Sequence, residues 1–188
     1  MSMVYMIFGT GFEETEAVAP IDCLRRAGVT VCTLGIGGRE IVSSHGIPML
    51  ADAVLEELTP EQREKADMVI LPGGLGGVNA CRGSKEAMEL LKWAGESGRY
   101  VAAICAGPTV LGDLGLLEDR NAVCYPGMED GMPGAIACRG SQTVVDGHIV
   151  TAEAAGSALH FGLTLVRLLK GREAAGAVAR SVHYHGEL

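Results

Sequence analysis

Along this chain, short runs of branched aliphatic residues alternate with longer stretches whose apolar positions recur at helical spacing. Val4–Phe8 and Asp67–Leu71 are apolar almost throughout, and Tyr100–Ile104 ends another such run. Continuous rather than alternating runs of this length predict strands covered on both faces, as in a parallel sheet. Val29–Gly35 predicts a further strand. Between these runs, Thr15 to Ala27 turns Ile21 and Leu24 to one side before stopping at Gly28, and Ser84 to Gly98 repeats Ala87, Leu90, Leu91 and Ala94 behind a serine cap. Both read as amphipathic helices. Pro20 predicts a kink or a late start in the first of them.

The remaining pattern is shorter-ranged. Glu40–Val42 and Ile47–Leu50 predict a small antiparallel excursion after the Gly37-Gly38 turn, and Glu61–Lys65 a short polar helix after Pro60. Thr109–Leu114 reads as helical, Asn121–Cys124 as a strand and Glu129–Gly140 as loop. Thr143–Thr151 reads as a hairpin turning at Asp146-Gly147. Ala158–Leu169 is the last long helix, and Glu173–Ala179 continues helical. Strand and helix alternate without a linker or a shift in composition. The expectation is one α/β domain over residues 1–188, a parallel sheet with helices on both faces.

Composition sharpens that picture. A chain of 188 residues that is 48% apolar, only 4% aromatic and holds 27 glycines suits a sheet closely covered by helices better than a sandwich or a disordered chain. Lys plus Arg total 15 against 23 acids, a net charge of −8, and no basic run interleaves with aromatics. Nucleic acid is therefore not an expected partner. No apolar run approaches the ~18 residues of a membrane span, and Met1–Gly9 reads as a first strand rather than a signal peptide. The six cysteines are scattered, with no C-x-x-C pair and no zinc spacing. Reduced thiols, a cytoplasmic location and no bound metal are the expectation.

The candidate chemistry centres on Tyr100–Pro108, where an apolar strand ends at Cys105 and Ala106-Gly107-Pro108 opens a helical pattern. A nucleophile at a tight strand-to-helix turn is exposed on a strained corner, and the helix that follows aims N–H groups at the sulfur. The same residue also fits an ordinary buried cysteine. Gly9-Thr10-Gly11 lacks the third glycine of a dinucleotide fingerprint and is followed by acids, so that reading is rejected. Pro72–Gly77 is a glycine-rich turn at the carboxyl end of a strand. Glu13–Glu16, Gly73–Gly77 and Cys105–Gly107 thus share the edge where open α/β sheets bind ligands, which makes Glu16 and Cys105 candidate neighbours. Taken alone, Glu16 reads equally as a first-turn acid complementing the helix dipole.

Several motifs together carry a resemblance. Gly11-Phe12-Glu13-Glu14-Thr15-Glu16 with Pro20 and Asp22, then Arg25-Arg26-Ala27-Gly28, Leu71-Pro72-Gly73-Gly74 and Ala103-Ile104-Cys105-Ala106-Gly107-Pro108 resemble the ThiJ/PfpI superfamily from Val4 to about Ala179. The similarity is greatest to its DJ-one branch of parkinsonism-associated proteins and their bacterial relatives. It implies a flavodoxin-like, Rossmann-like sheet of the class I glutamine amidotransferase type, and a homodimer. It also implies a nucleophilic Cys105, a protonated Glu16 donating to it, and backbone N–H groups of Gly74 and Ala106 at an oxyanion or oxidised sulfur. Such a cysteine is expected to titrate near ~5–6 instead of ~8.5. Where the eukaryotic branch has His-Pro, this chain has Tyr125-Pro126, whose phenol is a poor base at neutral pH but a candidate donor to an oxyanion or substrate; Ala106 replaces the histidine of the peptidase-like branch, so a Cys–His dyad is not expected. His45 and Arg26 fall where the family places basic groups near a dimer interface; the other histidines read as surface or packing residues.

The implied activity is cofactor-independent glyoxalase or deglycase chemistry on a small-molecule carbonyl substrate. A non-enzymatic oxidative-stress sensor or chaperone-like protein acting through oxidised Cys105, and a scaffold with a degenerate site, are the competing readings.

Overall fold

The computed structural model describes residues 2–187. In chain order the elements are β1 (Met3–Phe8), α1 (Glu14–Arg26), β2 (Thr30–Gly35), β3 (Glu40–Val42), β4 (Pro48–Leu50), β5 (Ala53–Val54), α2 (Pro60–Arg63) and β6 (Met68–Leu71). There follow α3 (Leu75–Gly83), α4 (Lys85–Glu96), β7 (Tyr100–Ile104), α5 (Pro108–Asp113), β8 (Asn121–Ala122) and β9 (Ile136–Ala137). The chain closes with β10 (Thr143–Asp146), β11 (Ile149–Ala152), α6 (Ala158–Lys170) and α7 (Arg172–Ser181).

Seven strands form the central sheet in the order β10-β11-β7-β6-β1-β2-β5. Every neighbouring pair is parallel except β10–β11, the hairpin that closes one edge. The fold is therefore the expected flavodoxin-like one, with a single antiparallel edge strand. The alternation along each central strand explains why these segments are apolar throughout. Val4, Met6, Phe8, Met68, Ile70, Ala102 and Ile104 face one layer with Ile21, Leu24 and Phe161 of α1 and α6. Tyr5, Ile7, Val69, Leu71, Val101 and Ala103 face the other with Val78, Leu91 and Leu111 of α3, α4 and α5. Each strand feeds two cores, and the few polar groups on these strands are paired, as the Tyr5 hydroxyl donates to the Gln62 carbonyl at 2.8 Å.

Four local expectations are corrected. α1 runs unbroken through Pro20. The helix is held there by α6, where Gly162 lets the two backbones meet: a Cβ on Gly162 would stand 2.8 Å from Pro20 Cα. The Gly73–Gly77 turn is shorter than the glycines suggest, because α3 already begins at Leu75. Gly76 and Gly77 instead let this helix lie against the β1–α1 loop, since Cβ atoms there would fall 2.9 Å from Gly11 Cα and 2.7 Å from Phe12 Cα. Asn121–Cys124 contributes only β8, paired with β9 in a separate small sheet. β11 lies between β10 and β7 in the central sheet, so β8 stands outside it. The segment Glu129–Gly140 is not wholly loop, since it carries a short 3₁₀ turn and β9, and the edge strand β5 carries no sequence signal of its own.

Candidate active site at the strand ends

Cys105 follows β7 with φ 64°, a left-handed backbone that a residue with a side chain adopts at a cost of about 1–3 kcal/mol. The surroundings hold it there. Its N–H donates to the Ala152 carbonyl at 3.0 Å, prolonging the β7–β11 pairing, and its carbonyl accepts from Tyr125 N–H at 2.8 Å. Gly107 completes the elbow: a Cβ there would lie 2.9 Å from the carbonyls of both Ile104 and Leu71. The turn therefore needs small residues after the cysteine, and the sequence supplies them.

Glu16 reaches the same point from the first turn of α1. Its side chain is 1% exposed, and Oε2 accepts from Gly73 N–H at 2.9 Å. Glu13 caps the helix by accepting from Glu16 N–H at 2.7 Å, which fixes where the Glu16 side chain departs. Gly73 sits between the two reactive groups: a methyl on it would run into Glu16 Oε2 and stand 2.6 Å from Cys105 Cβ. Gly74, at φ 84°, turns its N–H toward the sulfur, and a Cβ there would lie 2.6 Å from Glu13 N. Only glycine fits both positions.

The carboxyl and the thiol meet across Gly73 and shift each other's titration, so they titrate as a pair. Burial raises Glu16 to about 7; the thiol partner counters this, the charge of Glu13 adds to it, and the N–H groups of Gly73 and Ala155 oppose it. An acid of that kind is a substantial donor at neutral pH. With Glu16 charged beside it, the sulfur does not reach the low value expected from sequence. Burial first, then the charge and hydrogen bond of Glu16, push the Cys105 thiol up to about 12, with the N–H groups of Ala106 and Gly74 pulling the other way. Two negative charges cannot share this buried corner, so thiolate forms as the proton moves onto Glu16.

Of the residues singled out from sequence, Cys105, Glu16, Gly74 and Ala106 come together. Tyr125 joins them through its backbone only; its side chain is 49% exposed and its hydroxyl has no hydrogen-bond partner among the described residues. Arg26 does not join them. It lies in the last turn of α1, bonded to Asp22 Oδ2 at 2.7 Å, roughly 15 Å along the helix axis from Glu16 at ~1.5 Å per residue. His45 Nδ1 stands 2.8 Å from Glu14 Oε1, so within one chain it and Arg26 belong to separate ion pairs. Among the described residues no histidine hydrogen-bonds Cys105 or Glu16; His148 bonds the Gly95 carbonyl and His160 bonds Thr143. Glu13, Glu14 and His45 bring ligand atoms within 4.8 Å of one another, but Glu13 is occupied as helix cap and Glu14 by His45. Sequence reasoning missed Gly73, although the Leu-Pro-Gly-Gly run contained it, and Ala155, for which no signal existed.

The structure is thus an α/β sheet with a cysteine elbow at its strand ends, opposed by a buried carboxylic acid. Residues 2–168 match the model of the DJ-1/PfpI family, and the chain belongs to it. Protein dj-1beta of Drosophila melanogaster is 36% identical over 94% of each chain. The structure of oxidised Toxoplasma gondii DJ-1 superposes with a TM-score of 0.92 at 32% identity, covering 99% of this chain and 100% of that one. A Pyrococcus abyssi protein named as a deglycase is 30% identical over 89% of this chain and 99% of its own length. No helix among the described residues is long and apolar enough to cross a membrane.

Proposed function

We propose that this protein performs cysteine-dependent glyoxalase or deglycase chemistry on small dicarbonyls or their adducts, without a cofactor. The observation that carries this reading is the meeting of Cys105 and the buried Glu16 carboxyl on either side of Gly73. With methylglyoxal, Sγ attacks the aldehyde carbon while the thiol proton passes to Glu16, and the N–H groups of Gly74 and Ala106 hold the developing alkoxide. Glu16 returns the proton to that oxygen, giving a hemithioacetal. Transfer of the carbon-bound proton from the first carbon to its neighbour converts this to a thioester of a 2-hydroxy acid. Water then cleaves the thioester and restores the thiol. The sequence is redox-neutral overall, so no electron acceptor is needed.

The same reading includes a homodimer and a reducing, cytoplasmic setting. The homodimer reading is supported by an exposed apolar face formed by Val18, Ile47, Met49 and Leu159, of which Val18, Ile47 and Leu159 are 45%, 49% and 41% exposed. The decisive assay follows conversion of methylglyoxal to lactate by the native chain, Cys105→Ala and Glu16→Gln. Turnover by the native chain that disappears in Cys105→Ala supports the proposal; equal turnover in both defeats it. A second reading is favoured by the oxidised state of the Toxoplasma gondii relative. Here Cys105 becomes a sulfinate held by the same two N–H groups and by protonated Glu16, and the protein acts as a sensor. Selective sulfinate formation without turnover selects that reading.

A further inference from the structure

The arginines of this acidic chain fall into two groups. Arg25, Arg26, Arg82, Arg99, Arg120 and Arg139 each pair with a carboxylate. Arg39 donates to the Ala51 carbonyl, and Arg63 lies over the Trp93 ring at 4.9 Å. Among the described arginines, Arg167, Arg172 and Arg180 alone have neither an acceptor nor an aromatic partner, and all three line one open groove between α6, α7 and the tail at Gly186.

The helices aim them at one another. Arg172, Gly176 and Arg180 follow at one-turn intervals on a single face of α7. Gly176 leaves that face bare: a Cβ there would lie 3.4 Å from Arg180 Nη1, so the Arg180 guanidinium folds back over the glycine toward Arg172. Arg167 enters from the last turn of α6. Gly171, before α7, provides no side-chain cap, so the first N–H groups of that helix remain free at the Arg172 end. Glu173 is the one acid among the lining residues, against three guanidiniums. In a chain of net charge −8, uncompensated cations gathered on one groove repel each other unless an anion joins them. The groove is separate from the Cys105 site, since Arg167 lies roughly 13 Å along α6 from Ala158, where that helix starts beside the Glu16 contact at Ala155.

We propose that this groove binds a small phosphorylated molecule. Arg172 and Arg180 hold the phosphate from one side and Arg167 from the other. A phosphate carries about two negative charges and three free oxygens, enough to serve three planar guanidinium forks, whereas a single carboxylate has two oxygens and one charge.

The test is calorimetric titration of the full chain with inorganic pyrophosphate at fixed ionic strength, with citrate as the polycarboxylate control. The expected result is one pyrophosphate site per chain and weaker citrate binding. Arg172→Gln and Arg180→Gln should each weaken the pyrophosphate site about tenfold or more, while Arg139→Gln, whose arginine pairs elsewhere, leaves it unchanged. Thermal melting without ligand checks that these exposed substitutions leave the fold intact. Absence of binding, equal binding of citrate, or the same weakening in Arg139→Gln as in the groove variants would each overturn the proposal.

Discussion

Glu16→Gln isolates what it costs to bury an acid opposite the nucleophile. In the folded chain the carboxyl titrates at about 7, against an ordinary 4.5, chiefly because burial disfavours its charged form. Between those two pH values the native state holds a proton that the unfolded chain has already released. Stability from this group is thus complete below about pH 4.5 and is lost as pH rises through 7. Two and a half pH units at ~1.4 kcal/mol each come to about 3.5 kcal/mol in full, of which about 3 kcal/mol falls between pH 4.5 and 8.5. Glutamine keeps the shape and can still accept from Gly73 N–H, but it does not ionise. Urea unfolding of both proteins from pH 4.5 to 8.5 should therefore show the native chain losing about 3 kcal/mol relative to the variant across that range. A constant offset between the two is immaterial, because the slope carries the test. Parallel stability curves would refute the reasoning, since they would mean that Glu16 is ionised in the native state at ordinary pH. The same variant should lower dicarbonyl turnover by about 10²–10⁴-fold, the usual worth of a positioned proton carrier.

Other consequences follow from the same geometry. Gly73→Ala forces a methyl against Glu16 Oε2 and Cys105 Cβ, so it should cost about 1–3 kcal/mol and abolish the selective reactivity of Cys105; denaturant midpoints and alkylation rates check the two effects. Phe12 is fully buried and stacked on Phe8 with centroids 4.4 Å apart, so Phe12→Ala should lose about 3–5 kcal/mol by chemical denaturation. Burial pushes the Cys23 and Cys81 thiols up to about 11 and about 12, and neither has a buried carboxyl to take its proton. Mass spectrometry after mild peroxide should find Cys105 oxidised well before either, with the preference lost in Glu16→Gln.

The apolar runs at Val4–Phe8, Met68–Leu71 and Tyr100–Ile104 were enough to predict a doubly covered parallel sheet, because a strand buried on both sides has no position free for a polar residue. The elbow at Cys105 was legible for a related reason: a left-handed turn pressed against two carbonyls needs the small residues that follow it. Local sequence could not decide the partner of the sulfur. Glu16 is a first-turn acid like Glu14, and only the crossing of β1, β6 and β7 at one edge buries Glu16 against Cys105 while leaving Glu14 to an exposed histidine. Tertiary packing also carried α1 straight through Pro20, turned the second half of a glycine-rich run into helix, and left Arg26 at the far end of α1. The protonation of the pair belongs to the fold as well. Desolvation is a property of everything that surrounds a group, and sequence neighbours supply only a small part of those surroundings.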